Sequence, residues 1–108
     1  MDERAEQQGV YERLLASRAG ADVERGTLFG ALSFRVNGHS VGCIMRGVVA
    51  FKLAGDSDEL VDALAIPGAE LFDPSGRGRP FREWVALPLA EEPHFERLLE
   101  QAVAIALA

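Results

Sequence analysis

The sequence is poor in residues that form cross-links and metal centres. Among its 108 residues there is a single cysteine, Cys43, and there are two histidines, His39 and His94. A disulfide within the chain and a four-cysteine zinc site are therefore excluded. We expect Cys43 to be a small buried side chain, because a reactive thiol needs exposure and a positive neighbour. We expect both histidines at the surface, with no metal bound.

Long apolar runs and an excess of positive charge are also missing. No stretch approaches the ~20 apolar residues needed to cross a bilayer, and the N-terminal MDERAEQQG is too charged for a signal peptide. With 17 acidic and 11 basic side chains, the net charge is −6. This sign opposes binding to nucleic acid and to anionic membranes, so neither is an expected partner. One thiol and no export signal favour a cytoplasmic location.

What the sequence does contain is clear periodicity. Helical spacing predicts a first helix over residues 2–18, a second after AGDSDEL that is capped by Asp56 or Ser57, and a third from Pro93. The predicted buried positions are Val10, Tyr11, Leu14 and Leu15 in the first helix, Leu60, Val61 and Leu64 in the second, and Phe95, Leu98, Leu99, Ala102 and Ala106 in the third.

Alternating apolar residues predict strands between the first two helices and after the second. ALSFRV, SVGCIMR and VVAFKL are separated by Asn37-Gly38 and Arg46-Gly47, which are typical of two-residue hairpin turns. ELF and WVAL follow the second helix. Amphipathic helices need a sheet face to cover. The sequence therefore predicts one α+β domain, residues 1–108, as a two-layer sandwich of an antiparallel sheet and three helices in the order α-β3-α-β2-α.

Four motifs, in this order, resemble the TfoX N-terminal domain family: LFG at 28–30, NGH at 37–39, the strand lysine Lys52, and REWV at 82–85. The resemblance covers a core of residues 27–106, which follows the N-terminal helix 2–18. Leu28 and Phe81 stand where the family usually has methionine, and both changes are apolar. The resemblance implies a secretion-chaperone-like fold and no established enzyme activity, so we expect no catalytic residue and no cofactor.

The family's competence regulators also carry a C-terminal helical domain, and we expect no such domain in this protein. The function expected from the resemblance is therefore a non-enzymatic module that acts through a protein partner, with regulation implied by the resemblance alone.

The segment GRGRPFREWV gives an alternative function. Arg77, Arg79 and Arg82, together with Lys52, could contact an anion or a partner, because guanidinium groups match carboxylates and phosphates. The simpler interpretation is a solvated turn that leads into a strand. A second pair, Lys52 and Glu83, consists of charged residues within apolar strands, and we expect a structural ion pair between them.

Two further predictions concern the sheet. Trp84 is expected to be buried and structural. Alternation places Ile44, Val48 and Ala50 on the face opposite Phe51, and this face is more apolar than solvent alone would favour. We therefore predict a homodimer through this outer face or through the edge strand near Trp84. The alternative is a monomer whose first helix lies across that face.

Overall fold

Six antiparallel strands form one open sheet, and three helices pack on one of its faces. The computed structural model describes residues 2–108. Its elements are α1 Glu3–Ala16, β1 Glu24–Leu28, β2 Ala31–Val36, β3 His39–Met45, β4 Val48–Lys52, α2 Asp58–Leu64, β5 Glu70–Phe72, β6 Phe81–Pro88 and α3 Phe95–Leu107, with short 3-10 segments at Arg18–Gly20 and Leu89–His94. The strand order across the sheet is β1-β2-β3-β4-β6-β5. The predicted α+β class and antiparallel sheet are confirmed.

The first four strands form a meander of tight hairpins. The connections at Asn37-Gly38 and Arg46-Gly47 have positive φ at both residues, as the sequence predicted. A third turn of the same kind, Phe29-Gly30, joins β1 to β2 with φ values of 55° and 75°.

The predicted order α-β3-α-β2-α misses one strand, β1. Its sequence, ERGTL, has no apolar alternation because β1 is an edge strand whose side chains are largely exposed. Its turn also carries phenylalanine at a position where asparagine or glycine would signal a hairpin. The observed order is therefore α-β4-α-β2-α.

The helix-covered face holds the main core. The predicted α1 stripe is confirmed, because Val10, Tyr11 and Leu14 are buried in it, and the Tyr11 hydroxyl donates to the Ser33 carbonyl at 2.7 Å. In α3 the buried set ends at Val103, so the prediction for Ala106 is wrong. In α2 Leu60 is buried but Val61 is exposed, contrary to prediction, and Ala63 takes its place in the core.

A bulge in β3 decides which of its side chains face the helices. Phe34 of β2 pairs with Gly42, but the next residue, Arg35, pairs with Ser40, so Val41 has no partner on β2. One extra residue reverses the alternation of a strand. Val41 and Ile44 therefore both lie in the helix-covered core although they are three positions apart.

This bulge overturns part of the predicted dimer face. Ile44 pairs with Val49 on the covered face and is buried there, so it cannot share a surface with Val48 and Ala50. Ala50 lies on the outer face but has no exposed surface, and Val48 is half-buried. The helix placement in the predicted alternative is also wrong, because α1 packs on the covered face, while the monomeric state in that alternative stays a prediction.

Within the part of the chain that the structure describes, no helix combines the length and apolar character needed to cross a membrane.

Candidate functional site

The outer face of the sheet buries a small second cluster without help from any helix. Its buried members all come from strands: Cys43, Ala50, Phe72, Trp84 and Ala86. The prediction that Trp84 is buried is confirmed, at 9% exposure. A tryptophan and a phenylalanine among small side chains thus shield the middle of a face that would otherwise be open to solvent.

Four aromatic rings run from this cluster to the surface. Trp84 lies 6.0 Å from Phe72, Phe72 lies 6.1 Å from Phe81, and Phe81 lies 6.1 Å from Phe29, measured between ring centroids. Trp84 and Phe72 are buried, at 9% and 3% exposure, whereas Phe81 is 37% exposed and Phe29 56% exposed. The two outer rings therefore present apolar surface to solvent.

Phe29 occupies the most unusual backbone position of the row. Its φ of 55° lies in the left-handed region, where a side chain other than that of glycine or asparagine is costly. The cost is about 1–2 kcal/mol. Strain of this kind persists where surrounding structure enforces it, and it clusters at functional sites. This backbone conformation holds the Phe29 side chain outward at the tip of a tight hairpin.

Two adjoining concavities flank Phe29. The first, of about 330 Å³, is bounded by Phe29, Met45, Arg46, Pro74, Ser75, Arg79 and Phe81. We call it the Phe29 concavity. The second, of about 420 Å³, shares Phe29, Met45 and Arg46 with the first and adds Arg4, Gln7 and Gln8.

The charges around these concavities have one sign. Arg4, Arg46 and Arg79 contribute to their walls, and no aspartate or glutamate does, in a chain with 17 acidic residues. Within residues 2–108, none of these three guanidinium groups lies within ion-pair distance of a carboxylate. By contrast, Arg13 at a concavity between α1 and Leu89–His94 binds Glu92 at 2.7 Å. The charged side chains in the walls of these concavities are therefore all arginines, and the Glu3 carboxylate lies beside them at Gly47.

The loop after β5 is organised by Asp73. One oxygen of its carboxylate accepts from the Ser75 hydroxyl at 2.8 Å and from the Gly76 amide at 3.1 Å, and the other accepts from the Gly78 amide at 2.8 Å. The hydrogen bond from Ser75, followed by those from the backbone amides, lowers the pKa of Asp73. The backbone amides that could cradle an anion in this glycine-rich loop are thus already bound to the chain's own carboxylate.

This loop separates the predicted arginine contacts. Arg79 lines the Phe29 concavity, whereas Arg77 and Arg82 are exposed and lie outside it, as does Lys52. The second arginine of the Phe29 concavity is Arg46, which was not among the predicted contacts. Its guanidinium donates to the Pro74 carbonyl at 3.3 Å. That hydrogen bond ties the β3–β4 turn to the loop and closes one wall of the concavity.

The predicted Lys52–Glu83 ion pair is wrong. Lys52 is the cross-strand partner of Trp84 on the outer face, while Glu83, one residue earlier in β6, accepts through its carbonyl from the Leu53 amide. Neighbouring strand residues point to opposite faces. No ion pair joins Lys52 and Glu83 in the described residues.

The remaining candidates are placed as follows. Cys43 is buried at 1% exposure, as predicted, and burial raises the pKa of its thiol to about 12, which keeps it protonated. His39 is exposed at the β2–β3 turn, and the His94 ring lies 3.3 Å from the Arg97 guanidinium and 3.6 Å from the Glu91 carboxylate. No group of three possible metal ligands occurs among residues 2–108.

Sequence reasoning missed Phe29, Arg46 and Phe81 as surface features. The available signal was the pair of dipeptides Phe29-Gly30 and Arg46-Gly47, two tight turns that come together at the same end of the meander. Only the strand pairing shows that they meet the loop after β5.

No protein-family model matches the chain, and no significant match was found among curated proteins or among solved structures.

Proposed function

We propose that this chain is a non-enzymatic cytoplasmic module that acts by binding a protein through the outer face of its sheet. The observation that carries the proposal is Phe29: an aromatic side chain, 56% exposed, held at a strained turn beside the half-exposed Phe81. Exposed aromatic side chains with arginines at their rim are the composition that protein interfaces favour.

The low reactivity of the chain's thiol supports a binding role over catalysis. A cysteine nucleophile works as its thiolate, and the Cys43 pKa of about 12 disfavours that form. The buried, reduced thiol also suits the proposed cytoplasmic location.

The TfoX relationship and a regulatory role stay predictions. They rest on the LFG, NGH, Lys52 and REWV motifs, and two of these motifs acquire a physical role in the proposal. LFG forms the β1–β2 turn that presents Phe29, and REWV supplies Trp84, the ring at the buried end of the aromatic row.

The alternative, anion binding by the 76–82 loop, has less support. Asp73 occupies the loop's amides, and Arg77 and Arg82 lie outside the Phe29 concavity. An anion would meet only side chains, without the backbone donors that normally fix a phosphate.

Quantitative affinity capture from the protein's own cells tests the proposal. Bait carrying Phe29→Asn or Phe81→Asp should lose a defined set of bound proteins, since each removes exposed aromatic surface. The matched control is Leu107→Asp, which alters an equally exposed apolar side chain, 52% exposed, on α3. Nuclease should be present during capture so that nucleic acid cannot link the bait to other proteins. A captured set that both outer-face variants retain, at wild-type amounts, contradicts the proposal.

A further inference from the structure

The Phe29 concavity calls for a partner with an apolar side chain and negative charge. Its walls are apolar at Phe29, Met45 and Phe81, and its charges are the guanidiniums of Arg46 and Arg79. Neither guanidinium meets a carboxylate within the described residues. Charge complementarity of this kind steers association and fixes orientation.

The chain itself carries a surface of that chemistry on α2. Val61 is 62% exposed, more than any other large apolar side chain of the described residues. Asp58, one helical turn before it, and its neighbour Asp62 are exposed, as is Glu59. None of these carboxylates has an ion-pair partner in residues 2–108. We call Asp58, Glu59, Val61 and Asp62 the α2 ridge.

The α2 ridge and the Phe29 concavity lie on opposite layers. The buried residues of α2, Leu60 and Ala63, belong to the helix-covered core, whereas Phe29 and Phe81 continue the aromatic row of the outer face. One copy can therefore use both surfaces at once, each toward a different neighbour.

We propose that the occupant of the Phe29 concavity is the α2 ridge of a second copy of this chain. Val61 would contact Phe29 and Phe81, and the ridge carboxylates would face Arg46 and Arg79. The proposal rests on the proposed function, because it names the partner of the same surface. Such an interface is head-to-tail, and unless the rotation closes a ring it adds copies without limit. It therefore differs from the predicted homodimer, in which the outer face or the edge strand near Trp84 forms the interface.

Sedimentation equilibrium of the wild-type chain is the first test. We expect the average mass to rise above the 11.7 kDa of one chain as concentration increases. The contact is small, so association should appear at about 0.1–1 mM. It should weaken in about 0.5 M salt, because the charges at the rim are exposed. A single-chain mass throughout this range overturns the proposal.

Mixing two defective variants is the decisive test. Phe29→Asn combined with Arg79→Glu removes the concavity, and Val61→Lys removes the ridge. Each variant alone should keep the mass of one chain at concentrations where the wild type associates. Their mixture should form a 1:1 pair and nothing larger, since one intact concavity and one intact ridge remain. All substituted side chains are exposed, and circular dichroism verifies that each variant folds.

Arg77→Glu is the matched control, because Arg77 lies in the same loop but outside the concavity. It should associate within about twofold of wild type, whereas Arg79→Glu should weaken association about tenfold or more. Equal effects of Arg77→Glu and Arg79→Glu overturn the proposal. It is also overturned if the wild type associates but the mixture of Phe29→Asn/Arg79→Glu with Val61→Lys forms no 1:1 pair.

The outcomes also separate this inference from the proposed function. If the wild type stays a single chain but captures foreign proteins in a Phe29-dependent way, the second copy is the wrong partner and the function stands. Association that persists in Phe29→Asn/Arg79→Glu overturns this inference, because the copies then associate through another surface. The proposed function is contradicted only if both outer-face variants also retain the captured proteins. Salt-sensitive binding of a single-stranded oligonucleotide that depends on Arg79, without self-association, would identify a nucleic-acid surface and overturn the inference.

Discussion

The two faces of the sheet are built in different ways. The covered face is filled by side chains from all three helices and from four of the six strands, and its largest members, such as Phe51 and Phe95, have no exposed surface. The outer face relies on Trp84 and Phe72 over small side chains, and its aromatic row continues into solvent at Phe81 and Phe29. The covered face holds most of the core, and the outer face combines a small buried cluster with aromatic surface that is open to solvent.

The largest expected effect tests the assignment of faces in the β3–β4 hairpin. Ile44→Asp places a charge in the covered core and should prevent folding, since a loss above about 4 kcal/mol follows from burying an unpaired charge. Val48→Asp, at the half-buried first residue of β4 on the outer face, should cost about 1 kcal/mol or less. Urea denaturation measures both. Similar losses in the two variants would contradict the reversal of alternation by the β3 bulge.

The second comparison is between the stability losses caused by removing one buried aromatic side chain from each face. Phe51→Ala should cost about 4 kcal/mol, because Phe51 is fully buried and packs 5.8 Å from Phe95. Trp84→Ala should cost about 3 kcal/mol, the low end of the range for emptying an aromatic site, because solvent already reaches part of its ring.

Denaturation monitored by circular dichroism gives both values without relying on Trp84 fluorescence. A loss under about 1 kcal/mol for Trp84→Ala would show that the outer cluster does not contribute to the core and would strengthen a binding role for this ring.

The third comparison exchanges residues between two hairpin turns. Phe29 and Asn37 occupy the same turn position, with φ of 55° and 51°. Phe29→Asn should raise stability by about 0.5–1 kcal/mol, because asparagine tolerates this backbone better than phenylalanine does. The reverse substitution, Asn37→Phe, should lower stability by about 1 kcal/mol. Thermal unfolding of both variants checks the signs. If Phe29→Asn is destabilising, the ring of Phe29 serves the fold, and the argument for a binding role weakens.

These three comparisons also show how far the sequence determines the structure. Period-two alternation and Asn37-Gly38 correctly predicted the antiparallel meander, because each signal is local. The faces of β3 could not be predicted, since a bulge at Val41 depends on pairing with β2. The exposed β1 strand lacks an apolar pattern altogether.

The candidate site was predictable only in part, for a related reason. Arg79 was identified from the sequence, but its neighbours in space, Phe29 and Arg46, come from two different hairpin turns. Local patterns do not report which turns meet at one end of a sheet. The Asp73 carboxylate accepts hydrogen bonds from the backbone amides of the glycine-rich loop, so these amides are not free to bind an anion. Composition does not show this geometry.

The smallest expected effect concerns the rim of the covered layer, where an ion pair joins α1 to the segment before α3. The Arg13 guanidinium donates two hydrogen bonds to Glu92, at 2.7 Å and 2.9 Å, and this interaction lowers the pKa of Glu92 below its usual value of 4.5.

A carboxylate whose pKa is lowered on folding stabilises the fold above its unfolded pKa. The contribution is lost as pH falls through the lower, folded value. The Arg13 side chain is 61% exposed and that of Glu92 is 35% exposed, so solvent screens the pair and the gain is small. Glu92→Gln should therefore be slightly less stable than wild type at pH 7, and the difference should shrink as pH falls below the unfolded pKa of the carboxyl group. Glu96→Gln, which removes an exposed carboxylate without an ion pair in the described residues, is the matched control and should not reproduce that convergence. Urea midpoints measured between pH 3 and pH 7 give the comparison. A stability difference for Glu92→Gln that is the same at both ends of the range would mean that Glu92 acts through packing rather than through its charge.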